Sequence, residues 1–137
     1  MRVLIVYYSR SGKVKEMAEK AAVSRGADIV EIKDTVKRGG PVGFIKSGYQ
    51  AARKKSIPIA RIDTDIAAYE RVVVCSPVWA GTMASPIRAF LEKFKYQINE
   101  AEYMLMHASR KNNYDEVFDE MDRILGKTAV RRTSLYR

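Results

Sequence analysis

A short polar loop near the N-terminus has the residues needed to bind a phosphate group. It separates an apolar stretch from a helical pattern and consists of Ser9, Arg10, Ser11, Gly12, Lys13 and Val14. Unpaired backbone amides and the positive end of a helix dipole attract an anion at such a junction. The serines add hydroxyl donors, and Gly12 lets the backbone approach the ligand. We predict a phosphate site, although a Ser-rich turn can also be only a helix cap.

A second loop carries the only tryptophan of the chain. It spans residues 76–85, and its central residues are Pro77, Val78, Trp79, Ala80, Gly81 and Thr82. The flat, amphipathic ring of Trp79 is well suited to lie against a planar cofactor. The alternative is that Trp79 caps the core beneath the loop. Gly81 adds a peptide that can change orientation at little cost.

Other chemistry has little support. One cysteine and one histidine exclude an internal disulfide and most metal sites. Cys75 lies in an apolar stretch and is predicted to pack, because reactive thiols need exposure and positive surroundings. His107 ends a predicted strand and is expected to be a core residue. With no Ser-His-Asp set or paired carboxylates to indicate hydrolysis, we predict neither a catalytic side chain nor a metal ion.

Strands alternate with helices along the chain. The predicted strands are Val3–Tyr8, Asp28–Lys33, Arg71–Cys75, Tyr103–His107 and Thr128–Leu135. The first predicted helix ends at Arg25. The others span Phe44–Arg53, Pro86–Phe94 and Tyr114–Leu125, and a helical turn is predicted within Asp63–Ala68. Alternation of this kind favours an α/β fold with a parallel sheet, and the apolar Arg71–Cys75 should be its central strand. The 137 residues fit a single domain, 1–137.

Two segments resemble the flavodoxin family. VLIVYYSRSGKVKEM, from Val3 to Met17, resembles its N-terminal signature, in which the phosphate loop runs Thr-x-Thr-Gly-x-Thr. YERVVVCSPVWAGTMASPIRAFLEKF, from Tyr69 to Phe94, resembles its third strand, flavin loop and following helix. GGPVGFIKSGYQAARKK is similar to a connection in a branch of small flavodoxin-like proteins. The resemblance implies a doubly wound parallel sheet of order 2-1-3-4-5, with FMN at the switch point between strands one and three, flavodoxins being themselves an example of that rule.

The resemblance also implies residue roles. The first loop would hold the FMN phosphate, although Val14 stands where the family often has threonine. Arg10 could reach over the phosphate or point to solvent. The second loop would border the isoalloxazine ring. Ala108 and Ser109 begin a third flavin loop, Ala108-Ser109-Arg110-Lys111, where relatives usually have Thr-Ser-Gly-Gly. Its two cations could stabilise a reduced flavin or obstruct the pocket.

The function implied is that of an FMN-dependent electron carrier or small oxidoreductase. One alternative is an FMN-dependent NAD(P)H:quinone-type reductase. Another is a flavin-free interaction module that uses a basic segment, 33–55, which has seven basic side chains against one acid. The net charge of +9 favours an acidic redox partner. No nucleic-acid motif accompanies the basic segment, so nucleic acid is not expected as a partner.

Two further expectations concern location and assembly. The N-terminus carries no signal-peptide pattern, and no apolar run is long enough to span a bilayer, so we expect a cytoplasmic protein without membrane contact. Flavodoxin-like chains usually add a fifth helix after the fifth strand, and none is predicted here. One face of the sheet would then be partly uncovered, which suggests a homodimer through that face.

Overall fold

A parallel β-sheet lies at the centre of the protein, whose computed structural model describes residues 1–34, 57–109 and 114–136. Its strands are β1 (Val3–Tyr7), β2 (Asp28–Glu31), β3 (Arg71–Trp79), β4 (Thr82–Met83), β5 (Glu100–His107) and β6 (Arg131–Tyr136). The helices are α1 (Lys13–Arg25), α2 (Ser85–Phe94) and α3 (Asp115–Leu125), and Ile66–Ala68 forms a short 3₁₀ turn. The predicted helix at 44–53 and most of the basic segment fall outside the described residues.

The strand order is β2-β1-β3-β5-β6, and all of these neighbours pair in parallel. The short β4 pairs only with β3, antiparallel. Apart from this hairpin strand, the order is the predicted 2-1-3-4-5, so the α/β flavodoxin-like fold is confirmed. The register places Tyr7 beside Cys75, which brings the carboxyl ends of β1 and β3 together at the point where the winding direction reverses.

Several strand boundaries differ from the sequence-based expectation, and β1 and β2 end one and two residues earlier than predicted. β3 continues to Trp79 instead of ending at Cys75, because its last residues pair with β4 in a hairpin. β5 begins at Glu100, earlier than the predicted Tyr103, because its backbone pairs with β3 from Arg71 onward, and the Arg71 side chain forms ion pairs with Glu100 and Glu102. β6 begins later than predicted, at Arg131.

Helices cover the sheet on both faces. α2 and α3 pack on the larger core, to which β3 contributes Val72 and Val74. α1 packs on the opposite core, to which β3 contributes Val73 and Cys75. The four β3 residues are completely buried, as predicted for a central strand. α1 thus lies on one face of the sheet, and α2 and α3 lie on the other.

The α1 face includes a shallow apolar groove over β5 and β6. Its volume is about 560 Å³, and its sheet side is formed by Met104, Met106 and Leu135. Below it, the fully buried carboxylate of Glu102 receives hydrogen bonds from both terminal nitrogens of Arg25, at 2.9 and 2.7 Å. Within the described ranges, no helix is long and apolar enough to cross a membrane.

Candidate functional site

A cleft lies where the loop after β1 meets the carboxyl ends of β3 and β5. Its volume is about 120 Å³, and nine predicted site residues line it: Ser9, Arg10, Ser11, Lys13, Val14, Pro77, Val78, Trp79 and Ala108. Met106 lines it as well and was missed, because in the sequence it looks like one more core residue of β5. The other predicted residues lie in the same loops without lining the cleft, namely Gly12, Ala80, Gly81, Thr82 and Ser109.

The first loop has a defined shape. Gly12 precedes α1 with φ 93° and ψ −6°, a conformation that L side chains rarely adopt. Its N–H donates to the hydroxyl oxygen of Ser9 at 2.9 Å, so a hydrogen bond within the loop fixes its curvature. The amides of the first helical turn have no intrahelical acceptors, and Gly12 has no side chain to cap them.

Charge and packing complement these amides. Arg10 and Lys13 are exposed and line the cleft, which makes it electropositive. Val14 is buried in the core beneath α1, so its side chain fastens the helix to the sheet while its backbone remains at the cleft. The threonine that relatives often have here would add a hydroxyl. Valine in place of threonine at position 14 therefore removes a hydrogen-bond donor and adds a packing contact.

Trp79 is half-buried, between the core and the cleft. It packs against the larger core, and its ring lies 5.5 Å from that of Tyr8 at an interplanar angle of 87°. This edge-to-face geometry is a favourable one for aromatic pairs. Trp79 also lines the cleft. Its packing therefore holds the ring in place beside the phosphate loop.

The hairpin after Trp79 has a two-residue turn. Ala80 and Gly81 have φ values of 49° and 78°, as in a type I′ turn, and Ala80 is the only non-glycine residue with positive φ in the described ranges. Thr82 is buried, and its hydroxyl donates to Oε1 of Glu120 at 2.9 Å. The Thr82 side chain thus points into the protein, so only its backbone can border a ligand.

The third loop begins at a buried histidine. His107 is 7% exposed and stacks on Tyr114, with ring centroids 4.3 Å apart. Its Nδ1 lies 2.7 Å from the carbonyl oxygen of Ser109. Because that oxygen can only accept, Nδ1 carries the proton. Cys75 is fully buried, and burial raises the pKa of its thiol to about 12. Both residues are thus in the core, as predicted.

The cleft fits one end of a flavin mononucleotide. Its amides, hydroxyls and cations suit a dianionic phosphate. Its volume of about 120 Å³ lies below the roughly 300–1,000 Å³ of sites that enclose a whole small molecule. A cleft of this volume can hold a phosphate group but cannot also enclose a flavin ring system.

Comparison with known proteins decides the family. The sequence profile of a family described as Flavodoxin matches residues 2–113. The chain belongs to the flavodoxin family. Curated relatives include the NAD(P)H dehydrogenase (quinone) of Cupriavidus metallidurans, 31% identical over 67% of this chain and 46% of its own length. The protein of the same name from Rhizobium johnstonii is 34% identical over 67% and 46%. The chain thus spans slightly less than half the length of these two relatives.

Solved structures of flavodoxin-like proteins superpose over nearly the whole chain. A flavoprotein from Lactobacillus acidophilus, crystallised in complex with FMN, is 25% identical, with a TM-score of 0.77 over 97% of this chain and 92% of its own. A protein from Bacteroides eggerthii, described provisionally as a flavoprotein, has a TM-score of 0.84 at 15% identity over 98% and 87%. The resemblance recognised from two sequence motifs is therefore confirmed.

Proposed function

We propose that this flavodoxin-family protein binds FMN and acts in electron transfer or oxidoreduction. The observation that carries the proposal is the phosphate-sized, electropositive cleft beside Trp79 at the switch point of the sheet. Support also comes from the Lactobacillus acidophilus flavoprotein, whose structure contains FMN. When bound, FMN supplies the redox chemistry, and the protein controls its binding, orientation and exposure to water.

The residues divide the work of binding. The first-turn amides of α1 and the hydroxyls of Ser9 and Ser11 bind the phosphate, while Arg10 and Lys13 balance its charge. Trp79 lies against the ring, and the peptides of the hairpin approach its edge. The loop serves one terminal phosphate and lacks the G-x-G-x-x-G turn of dinucleotide sites. FMN is therefore expected to bind more tightly than FAD.

A test of this proposal uses Trp79 as the reporter. Titration of the purified protein with FMN should quench Trp79 fluorescence with a 1:1 stoichiometry, and calorimetry should give the same Kd. FAD serves as the matched ligand, because it shares the isoalloxazine ring but has a pyrophosphate. Failure of FMN to bind, or equal binding of FAD, contradicts the proposal. The first result would favour the flavin-free interaction module.

The second candidate function is quinone reduction. The relatives from Cupriavidus metallidurans and Rhizobium johnstonii are named NAD(P)H dehydrogenase (quinone), which favours this activity over a carrier role. In that case a quinone would bind on the flavin face left open beyond Trp79. NAD(P)H oxidation by the FMN-loaded protein, measured with and without a quinone, separates the two: stimulation by quinone indicates a reductase, and no stimulation indicates a carrier.

The partner and the location are proposed as well. The net charge of +9, and the exposed Arg10 and Lys13 near the cleft, favour an acidic redox partner in the cytoplasm. Electron exchange with such a partner should slow as ionic strength rises, because salt screens the attraction. An exchange rate that does not depend on salt would contradict an electrostatic docking.

A further inference from the structure

A buried ion pair joins the two helices behind the flavin hairpin. Arg88 of α2 donates to Oε2 and Oε1 of Glu120 on α3, at 3.1 and 3.2 Å. Thr82 of the hairpin completes the cluster: it donates to Glu120 at 2.9 Å, and Arg88 lies 3.3 Å from its hydroxyl oxygen. All three side chains are buried: Arg88 and Thr82 are 5% exposed, and Glu120 is 9% exposed.

Stability alone does not explain this cluster. The surrounding core of α2 and α3 is apolar. Burying an ion pair in such surroundings removes two charges from water, and apolar residues of similar volume often stabilise a protein equally well or better. The charged pair instead orients the Thr82 side chain, because its hydrogen bonds fix the Thr82 hydroxyl relative to both helices.

The pairing ladder of the hairpin is short. β4 contributes only two residue pairs, Val78 with Met83 and Trp79 with Thr82. One more hydrogen bond, from the N–H of Ala84 to the hydroxyl of Ser76 at 3.1 Å, holds the far end of the hairpin. A strand of this length holds its partner weakly.

The turn itself is strained. Ala80 has φ 49°, a left-handed conformation that is costly for a residue with a side chain. Such conformations persist only where the surrounding structure enforces them. Thr82 follows the turn directly, so the cluster acts on the strained peptide from one residue away.

We propose that Arg88, Glu120 and Thr82 form a clamp that fixes the orientation of the Ala80–Gly81 peptide, and thereby positions it against the flavin and sets the flavin's reduction potential. None of the three is a catalytic residue, since they act through the hairpin. The effect on the potential rests on the proposed FMN binding, whereas the effect on the hairpin does not. The clamp is therefore tested first without FMN.

The first experiment measures backbone hydrogen exchange in the FMN-free protein. Thr82→Val removes the hydroxyl at nearly constant volume, and exchange of the amide at position 82, which pairs with Trp79, should become about tenfold faster, the factor that corresponds to one hydrogen bond. Tyr103→Phe is the control, because it removes another buried hydrogen bond to α3, from the Tyr103 hydroxyl to Asp122 at 2.7 Å. It should leave hairpin exchange unchanged. Equal rates in the parent protein and Thr82→Val would overturn the proposal.

The second experiment measures the two one-electron potentials of bound FMN. Thr82→Val should change the gap between them, and a tenfold change in relative affinity for two redox states corresponds to about 59 mV. The double variant Arg88→Met, Glu120→Met replaces the charges by apolar groups, keeps the helices packed and should give the same shift. Tyr103→Phe should not shift the gap. If the potentials of Thr82→Val and of the double variant equal those of the parent protein, the proposed effect on the reduction potential is wrong. If the parent protein itself does not bind FMN, the proposed function is wrong instead.

Discussion

Replacing Gly12 by alanine tests the phosphate loop at its most constrained position. The backbone there has φ 93°, and the added methyl group would meet no atom within 4 Å. The substitution therefore introduces no steric clash in the free protein. Its whole effect comes from the backbone conformation, which an alanine adopts at a cost of about 1–2 kcal/mol.

The loop of Gly12→Ala can respond to this backbone strain in two ways. If the loop keeps its shape, the free energy of unfolding falls by about 1–2 kcal/mol. If φ instead relaxes to a negative value, the N–H of Gly12 leaves the hydroxyl of Ser9, now 2.9 Å away, and the loop loses its curvature. Loss of one charged hydrogen bond to the phosphate costs about 1.5–3 kcal/mol, which would weaken FMN binding by roughly 10- to 150-fold.

Gly26 provides a matched control at the other end of the same helix. It has φ 62°, and a methyl group there would also meet no atom within 4 Å. Gly26→Ala should therefore lower the free energy of unfolding by a similar amount, measured by urea denaturation. Its Kd for FMN, measured by calorimetry, should equal that of the parent protein.

The comparison of the two variants separates strain from recognition. We expect both to be destabilised and only Gly12→Ala to bind FMN more weakly. If Gly12→Ala is destabilised less than the control, so that its loop has relaxed, but still binds FMN as the parent does, the loop is only a helix cap. In that case the phosphate is bound elsewhere.

Three further predictions concern the rest of the sheet. Burial raises the pKa of Glu102, but its hydrogen bonds to Arg25 and the charges of Arg25, Arg131 and Arg71 outweigh burial and hold the pKa below its usual value. The pair should thus stabilise the fold above the ordinary carboxylate pKa of about 4.3 and lose this contribution as the pH falls through the lowered pKa. In urea denaturation at pH 7, Glu102→Gln should lower the free energy of unfolding by about 3 kcal/mol, and by less once the pH lies below the lowered pKa. A cost that does not change with pH would contradict the assignment. With its pKa near 12, Cys75 should resist thiol reagents at pH 8 until urea is added, and rapid labelling of the native protein would be inconsistent with its burial. A second copy of the chain is expected to cover the apolar groove over β5 and β6, so sedimentation equilibrium should show dimers, whereas a monomer at every concentration would refute this expectation.

Apolar periodicity and loop chemistry predicted most of the fold. The buried run at Val72–Cys75 identified the central strand, and the helical pattern before Gly126 identified α3. The β3 boundary was wrong because the loop after Cys75 is rich in small and turn-forming residues, which conceal a hairpin. The partner strand β4 is only two residues long and shows no pattern of its own, and the residues of β5 that pair with Ser76 and Pro77 are far away in the sequence.

In the candidate site, too, features set by consecutive residues could be predicted, and features set by distant residues could not. Its loops could be recognised because phosphate binding needs particular residues in consecutive positions. The inward direction of the Thr82 side chain could not, because its partners Arg88 and Glu120 come from two different helices. Met106 shows the remaining difficulty, since its place at the cleft depends on where β5 ends relative to β1 and β3.

The register of the two central strands has a consequence for folding kinetics. β1 pairs with β3 from Val3 opposite Arg71, so about half of the chain must be looped out before this pairing forms. Closing such a loop costs entropy before any contact compensates for it, and topologies dominated by distant pairings fold slowly. The cleft is built at the carboxyl ends of these strands, so a refolding chain should acquire the proposed affinity for FMN only after the slow pairing of β1 with β3. A bound cofactor would therefore stabilise the folded sheet, but it would not initiate the formation of that sheet.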